Sequence, residues 1–162
     1  MFCVGEKICY PMHGIGEIEG IEERTVLGIT AQYYLLRFTK GRMSAMVPVE
    51  SAGRIGLRRL ISREECDKVI AYMRTEPEAE AENWNRRYRE NCEKLRRGDI
   101  YAVADVVKCL SRRDEKRGLS AGERKMLVTA RRLLSEELSE VSGIDAGELM
   151  LSLSVSYTHL TL

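Results

Sequence analysis

Asn83-Trp84-Asn85-Arg86-Arg87-Tyr88-Arg89 places the only tryptophan of the chain beside three arginines. A large flat ring next to fixed positive charge suits a surface that grips a phosphate backbone and pushes an apolar wedge against bases. The guanidinium groups of Arg86, Arg87 and Arg89 would supply phosphate contacts, which position a protein on DNA without reading its sequence. The same spacing has a plainer reading. Trp84, Tyr88 and Leu95 fall on one helical face, so the ring could equally be core, where tryptophan is usually largely buried. Its place at a helix start favours exposure, because a side chain there can project past its own bundle. Arg87 also has a second reading, as an ion-pair partner of Glu90 or Glu93. Cys92 lies in the same basic helix and is expected to pack with Tyr88 and Leu95.

The formal net charge is only +1, but its distribution is uneven. Residues 62–82 carry seven acids against three bases, and residues 83–98 carry six bases against two acids. A local basic patch in a near-neutral chain points to one directed anionic contact. The competing reading is a solvated face with i,i+4 pairs such as Arg86–Glu90. Other chemistry is poorly supported. The five cysteines are scattered with no CxxC, and there are two histidines, so neither a zinc site nor a disulfide framework is written here. His13 sits in a glycine-rich turn with no second ligand or acid nearby and reads as a structural turn residue. There is no Gly-rich phosphate loop and no cysteine with a basic partner. We therefore expect no enzyme, no metal and no cofactor. The reduced cysteines, the polar start and the lack of a membrane-length apolar run suggest a cytoplasmic protein.

Two kinds of element must position these groups. Residues 1–60 read as β, a small and strongly bent sheet or barrel of four or five short strands joined by tight turns. Lys7–Tyr10 leads into Pro11-Met12-His13-Gly14. Gly14–Glu23 alternates, with its isoleucines facing one way and its acids mostly the other. Arg24–Gly28 reads as a polar connection, Thr30–Phe38 as a strand, Lys40-Gly41 as a hairpin turn and Arg42–Val49 as a further strand. Pro48 removes a ladder donor and places that last strand at a sheet edge or strand end. Ser51–Ile61 reads as a hinge whose Leu57, Leu60 and Ile61 tuck under one module or the other.

From Ser62 the hydrophobic period changes to 3.6 and predicts a compact bundle of four to five helices over residues 61–151. Ser62 with Glu65 and Ser120 with Glu123 are capping boxes. Asn83 or Asn85 and then Asp99 cap the two helices between them, and Gly98, Gly118 and Gly143 stop helices. Asp145 starts a short last helix with Leu149 and Met150. The charged texture stops abruptly after that, and residues 152–162 read as a cloning- or read-derived tail.

The order of these pieces resembles the CarD/CdnL family of bacterial transcription regulators. The residues that carry the likeness are Tyr10-Pro11-Met12-His13-Gly14-Ile15-Gly16, Tyr33-Tyr34-Leu35, Met46-Val47-Pro48-Val49 and Gly56-Leu57-Arg58. Further on they are Asn83–Tyr88 and Gly118-Leu119-Ser120-Ala121-Gly122-Glu123-Arg124-Lys125-Met126-Leu127. The likeness spans about residues 1–150. It implies an α+β protein of two domains, a Tudor-like RNA polymerase-interaction domain (1–60) and a helical DNA-contacting domain (61–151). The transcription–repair coupling factor carries a similar N-terminal domain.

The resemblance further implies docking on the RNA polymerase β subunit, with Arg24, Arg42, Met46, Val47 and Pro48 as the candidate contacts. Trp84 would wedge into the minor groove at the upstream fork of the transcription bubble, with Arg86, Arg87 and Arg89 on the phosphates, and would stabilise the open promoter complex. Some relatives carry an arginine where this chain has Met46, a departure that bears on the strength of the polymerase contact. No membrane partner is implied. The protein is expected to be a monomer, though a free β edge would allow strand exchange between copies. The competing hypothesis is a protein-only adaptor without DNA contact, in which Trp84 is core.

Overall fold

The computed structural model describes residues 1–77, 79 and 83–160, residues 154–160 by backbone alone. Part of the acidic Glu76–Glu82 run and the last two residues of the expected tail lie outside the described residues. The chain divides into two compact units, Met1–Leu60 and Ile61–Leu162.

The first unit is a single antiparallel sheet built from β1 (Lys7–Tyr10), β2 (Gly14–Val26), β3 (Ile29–Phe38), β4 (Ser44–Pro48) and β5 (Arg58–Arg59), in the order β4-β3-β2-β1-β5. A 3-10 turn over Val49–Ser51 and a short helix α1 (Ala52–Ile55) link β4 to β5. The core holds Ile8, Ile18, Tyr34, Leu36, Val47 and Leu57. The isoleucines of β2 do not all face one way. Gly16 pairs with Phe38 and Ile18 with Leu36, and then the register shifts between Ile18 and Gly20 so that Ile21 pairs with Tyr34. The extra residue of this bulge keeps Ile18 and Ile21 on the core face despite their odd spacing, while Ile15 is buried on the other face.

The expected polar connection at Arg24–Gly28 is mostly strand, since β2 runs to Val26 and turns in two residues. Leu27 (φ 52°) and Gly28 (φ 79°) both adopt left-handed backbone. That is the requirement of the tight turn whose twist matches a hairpin, normally met by Asn-Gly. Leucine gives no such signal, so the sequence reading ended the strand too early. The apolar hinge residues divide between the two cores. Leu57 belongs to the sheet core and β5 pairs with β1, whereas Ile61 packs on the helical core.

Among the described residues the second unit holds five helices, α2 (Arg63–Met73), α3 (Trp84–Arg97), α4 (Ile100–Arg117), α5 (Ala121–Ser142) and α6 (Ala146–Leu160). Their starts are capped by side chains as the spacing predicts. Ser62 accepts from the Glu65 amide, Asn83 from Asn85 and Arg86, Asp99 from Tyr101, and Ser120 from Glu123. Only the last is shown as a reciprocal box. In the first, the Glu65 carboxylate accepts the Tyr101 hydroxyl at 2.6 Å and so ties α2 to α4. The shared core runs through Val69, Met73, Leu95, Val107, Leu110, Leu127, Leu134 and Leu138. The last helix is longer than expected. Leu149 and Leu153, one turn apart, are buried on the same core, and no glycine or proline interrupts the stretch that follows, so α6 continues to Leu160.

Candidate nucleic-acid interface

Trp84 is the first residue of α3, and Asn83 caps it with a side-chain oxygen 2.8 Å from the Asn85 amide and 3.3 Å from that of Arg86. Along the same face burial deepens with distance from the cap. Leu95 is fully buried, Tyr88 is half-buried and Trp84 is 44 % exposed. The indole is docked rather than loose. One face stacks on Tyr88, centroids 5.1 Å apart with planes 15° from parallel. Its Nε1–H donates to Glu123 Oε1 at 3.1 Å. Tyr88 lies in turn against Gly122, where an added Cβ would sit 3.4 Å from its ring. The corner is therefore built by the start of α3 and the start of α5.

The three arginines separate. Arg86 is exposed and pairs with Glu90 at 3.2 Å, one turn along the helix. Arg89 is exposed with no ion-pair partner shown among the described residues. Arg87 is 5 % exposed and faces Glu123 Oε2 at 3.5 Å. A phosphate contact for Arg87 does not fit that placement, and neither does a pair with Glu90 or Glu93. Position on the helix explains the split, because residue 87 points inward while 86 and 89 flank it. Glu123 is itself 3 % exposed. Burial pushes its carboxyl up. The amide and hydroxyl of Ser120, the Trp84 indole N–H and the Arg87 charge together outweigh burial and hold it below the usual carboxylate value.

In the sheet unit, β4 is an edge strand, as its proline implied. It is shorter than expected, and Arg42 precedes it as an exposed residue. Register decides what each β4 side chain can do. Met46 pairs with Leu35 and is half-exposed, whereas Val47 pairs with Tyr34 and points into the core. A side-chain contact by Val47 to a partner is thereby excluded, and only its main chain is available. Arg24 lies within β2 rather than in a loop, exposed and paired with Glu22 at 2.7 Å. His13 keeps a structural part, its ring packed on Tyr10 and Phe38. Among the described residues no group of His, Cys, Asp and Glu could hold a metal ion. Among them, too, no helix is long and apolar enough to cross a membrane.

Comparison with known proteins decides the family. The profile "CarD, C-terminal domain" matches residues 68–153, and "CarD-like/TRCF RID domain" matches residues 2–61. A protein of Bacillus subtilis (strain 168), "Putative transcription factor YdeB", is 33 % identical over 144 residues, covering 89 % of this chain and 94 % of its own. The chain belongs to the CarD family. The solution NMR structure of the 72-residue N-terminal domain of Myxococcus xanthus CarD is 25 % identical, with a TM-score of 0.33, covering 36 % of this chain and 79 % of that one. As a CarD family member the chain is a transcription regulator of two domains, α+β, with an N-terminal domain of the Tudor-like, polymerase-interaction type. The family is one of transcription factors rather than enzymes.

Reading the CarD-type sequence alone missed two parts of this corner. Glu123 was legible as a capping residue, but its bond to an indole 39 positions earlier was not. The bases beside it were also passed over. Lys116 and Arg117 end α4, Arg124 and Lys125 begin α5, the helix that carries Glu123, and all four are exposed. The available signal was their position either side of a Gly-Leu-Ser cap.

Proposed function

We propose that this protein docks on the RNA polymerase β subunit through its sheet unit and stabilises the open promoter complex through Trp84, placed in the minor groove at the upstream fork of the bubble. The observation that carries this reading is the 44 % exposure of Trp84 at the head of a helix whose same-face residues sink into the core. At a fork one base step is already poorly stacked, and a ring filling that gap is worth ~1–3 kcal/mol. Since ~1.4 kcal/mol is tenfold in an equilibrium constant, one ring that binds open better than closed DNA suffices without catalysis. Arg86 and Arg89 hold the phosphates on its flank. The β4 edge and the exposed Met46 and Arg24 meet the polymerase, the edge by strand addition. The protein acts as a monomer in the cytoplasm, wherever polymerase sits on promoters.

The test is Trp84→Ala. Removing a half-exposed ring with one hydrogen bond and one stack costs the fold about 1–2 kcal/mol, short of the ~3–5 expected for a deleted core aromatic. The open-complex lifetime should fall about fivefold or more. A folded variant with an unchanged lifetime overturns the wedge. Binding to fork DNA across a salt series separates the adaptor alternative, because phosphate contacts by Arg86 and Arg89 must weaken as salt rises. A salt-independent signal would favour a protein-only role.

A further inference from the structure

We propose that Glu123 is a positioning residue for Trp84, fixing the indole at the surface before DNA arrives. This rests on the wedge reading above. A capping box needs only that the third-position carboxylate reach back to the cap residue. Here Glu123 Oε1 takes the Ser120 amide at 3.4 Å, the Ser120 hydroxyl at 3.0 Å and, beyond the box, the Trp84 Nε1–H at 3.1 Å. Its other oxygen faces Arg87 Nε at 3.5 Å and Arg113 Nε at 3.8 Å. The carboxylate is thus a fixed point, held by its own helix and by cations from α3 and α4.

The indole is pinned at two places, its N–H edge on Glu123 and one face on Tyr88, itself backed by Gly122. Trp84 is nonetheless 44 % exposed. The ring meets DNA as a backed platform that caps a base on one side, with its N–H already engaged. It is not a free side chain that must be ordered at the moment of binding. Holding one large side chain in its bound conformation in advance changes an equilibrium by roughly threefold to tenfold.

The test uses the full protein and compares Glu123→Gln, which keeps an Oε1 acceptor, with Glu123→Met, which has none. Each is made with Trp84 and with Trp84→Phe, a ring without the N–H. Because the chain holds one tryptophan, its fluorescence reports this site alone. Glu123→Met should raise acrylamide quenching of the indole and shorten the open-complex lifetime about threefold to tenfold. Glu123→Gln should restore both to within about twofold. In the Trp84→Phe background the two variants should have equal lifetimes. Equal losses in both backgrounds would reduce Glu123 to a fold-stabilising cap and overturn the proposal. If Glu123→Met does not fold, a benzothiophene analogue of Trp84, which keeps the ring shape and lacks the N–H, takes its place. An unchanged lifetime with that analogue also overturns the proposal. Failure of the wedge itself reads differently, as no effect of Trp84→Ala in any background.

Discussion

The Trp84 corner and the β4 edge are built on opposite plans. At the corner every feature is a side chain: an indole, a phenol ring, a buried carboxylate and two buried or half-buried guanidiniums, drawn from α3, α4 and α5. At the edge the offered surface is mostly main chain, since alternate β4 side chains turn into the core and only one sheet neighbour satisfies the strand. A side-chain site concentrates its energy in a few groups and is destroyed by single substitutions. A main-chain site spreads its energy along a ladder and resists them. The two surfaces should therefore fail in different ways, and substitution can show whether they do.

The largest contrast lies within the corner. Arg87→Ala removes the cation from a nearly sealed pair and leaves Glu123 with Arg113, Ser120 and Trp84. The expected loss is about 3 kcal/mol of stability, the low end for breaking a buried ion pair. Arg89→Ala, two residues on and exposed, should leave melting within about 0.5 kcal/mol while lowering the salt dependence of fork binding. Equal effects on stability would mean that the corner is not organised around Glu123.

At the edge the same logic separates neighbours by one residue. Val47→Ala empties a core position facing Tyr34 and should cost about 1.5–3 kcal/mol in denaturant unfolding. Met46→Ala, on the outer face, should stay within about 0.5 kcal/mol. Polymerase capture should respond modestly to either, because neither removes the backbone ladder. If Met46→Ala abolished capture, the edge would be a side-chain site after all, and the opposition between the two surfaces would collapse.

Much of this was legible because local rules dominate where helices begin and end. Asn83, Asp99 and Ser120 capped where their spacing put them, and Gly98 and Gly143 took left-handed backbone at the stops. The 3.6 period found the core stripe of α4 because Ile100, Val103, Val107 and Leu110 pack in sequence order. What failed depended on register or on distance in the chain. The bulge after Ile18 changes which isoleucines share a face without changing composition. The turn at Leu27 carries no turn residue at its first position. The fate of Arg87 is set by a carboxylate 36 positions away, and nothing in its own helix names that partner.

Acid should separate the two surfaces further. The folded value of Glu123 lies below its ordinary 4.5, so its contribution is complete above that pH and is lost as pH falls through the folded value. A protonated Glu123 keeps a carbonyl acceptor for the indole N–H, as Gln does, so indole quenching should stay within about twofold along this limb while stability falls. A rise as large as that expected of Glu123→Met would tie the ring to the charge of the carboxylate rather than to its acceptor oxygen.

The smallest effect is expected at the alkaline end and serves as the control for the corner. Tyr101 is pushed up to about 12 from 10.0, first by the hydrogen bond it donates to Glu65, then by burial and by the charges of Glu65 and Asp99. The sign is opposite to that of Glu123. The bond contributes fully below pH 10 and is lost as pH rises through about 12, because the phenolate has no proton to donate and faces a carboxylate. Melting of the protein should therefore decline a little faster over that window than melting of Tyr101→Phe, and the two should converge near its top. Tyr101 joins α4 to α2 and bonds no group of the Trp84 corner, so removing its hydroxyl should leave indole quenching unchanged. If Tyr101→Phe disturbed the indole as Glu123→Met is expected to, the ring would be reporting the looseness of the whole bundle rather than one hydrogen bond, and its docking by Glu123 would lose its meaning.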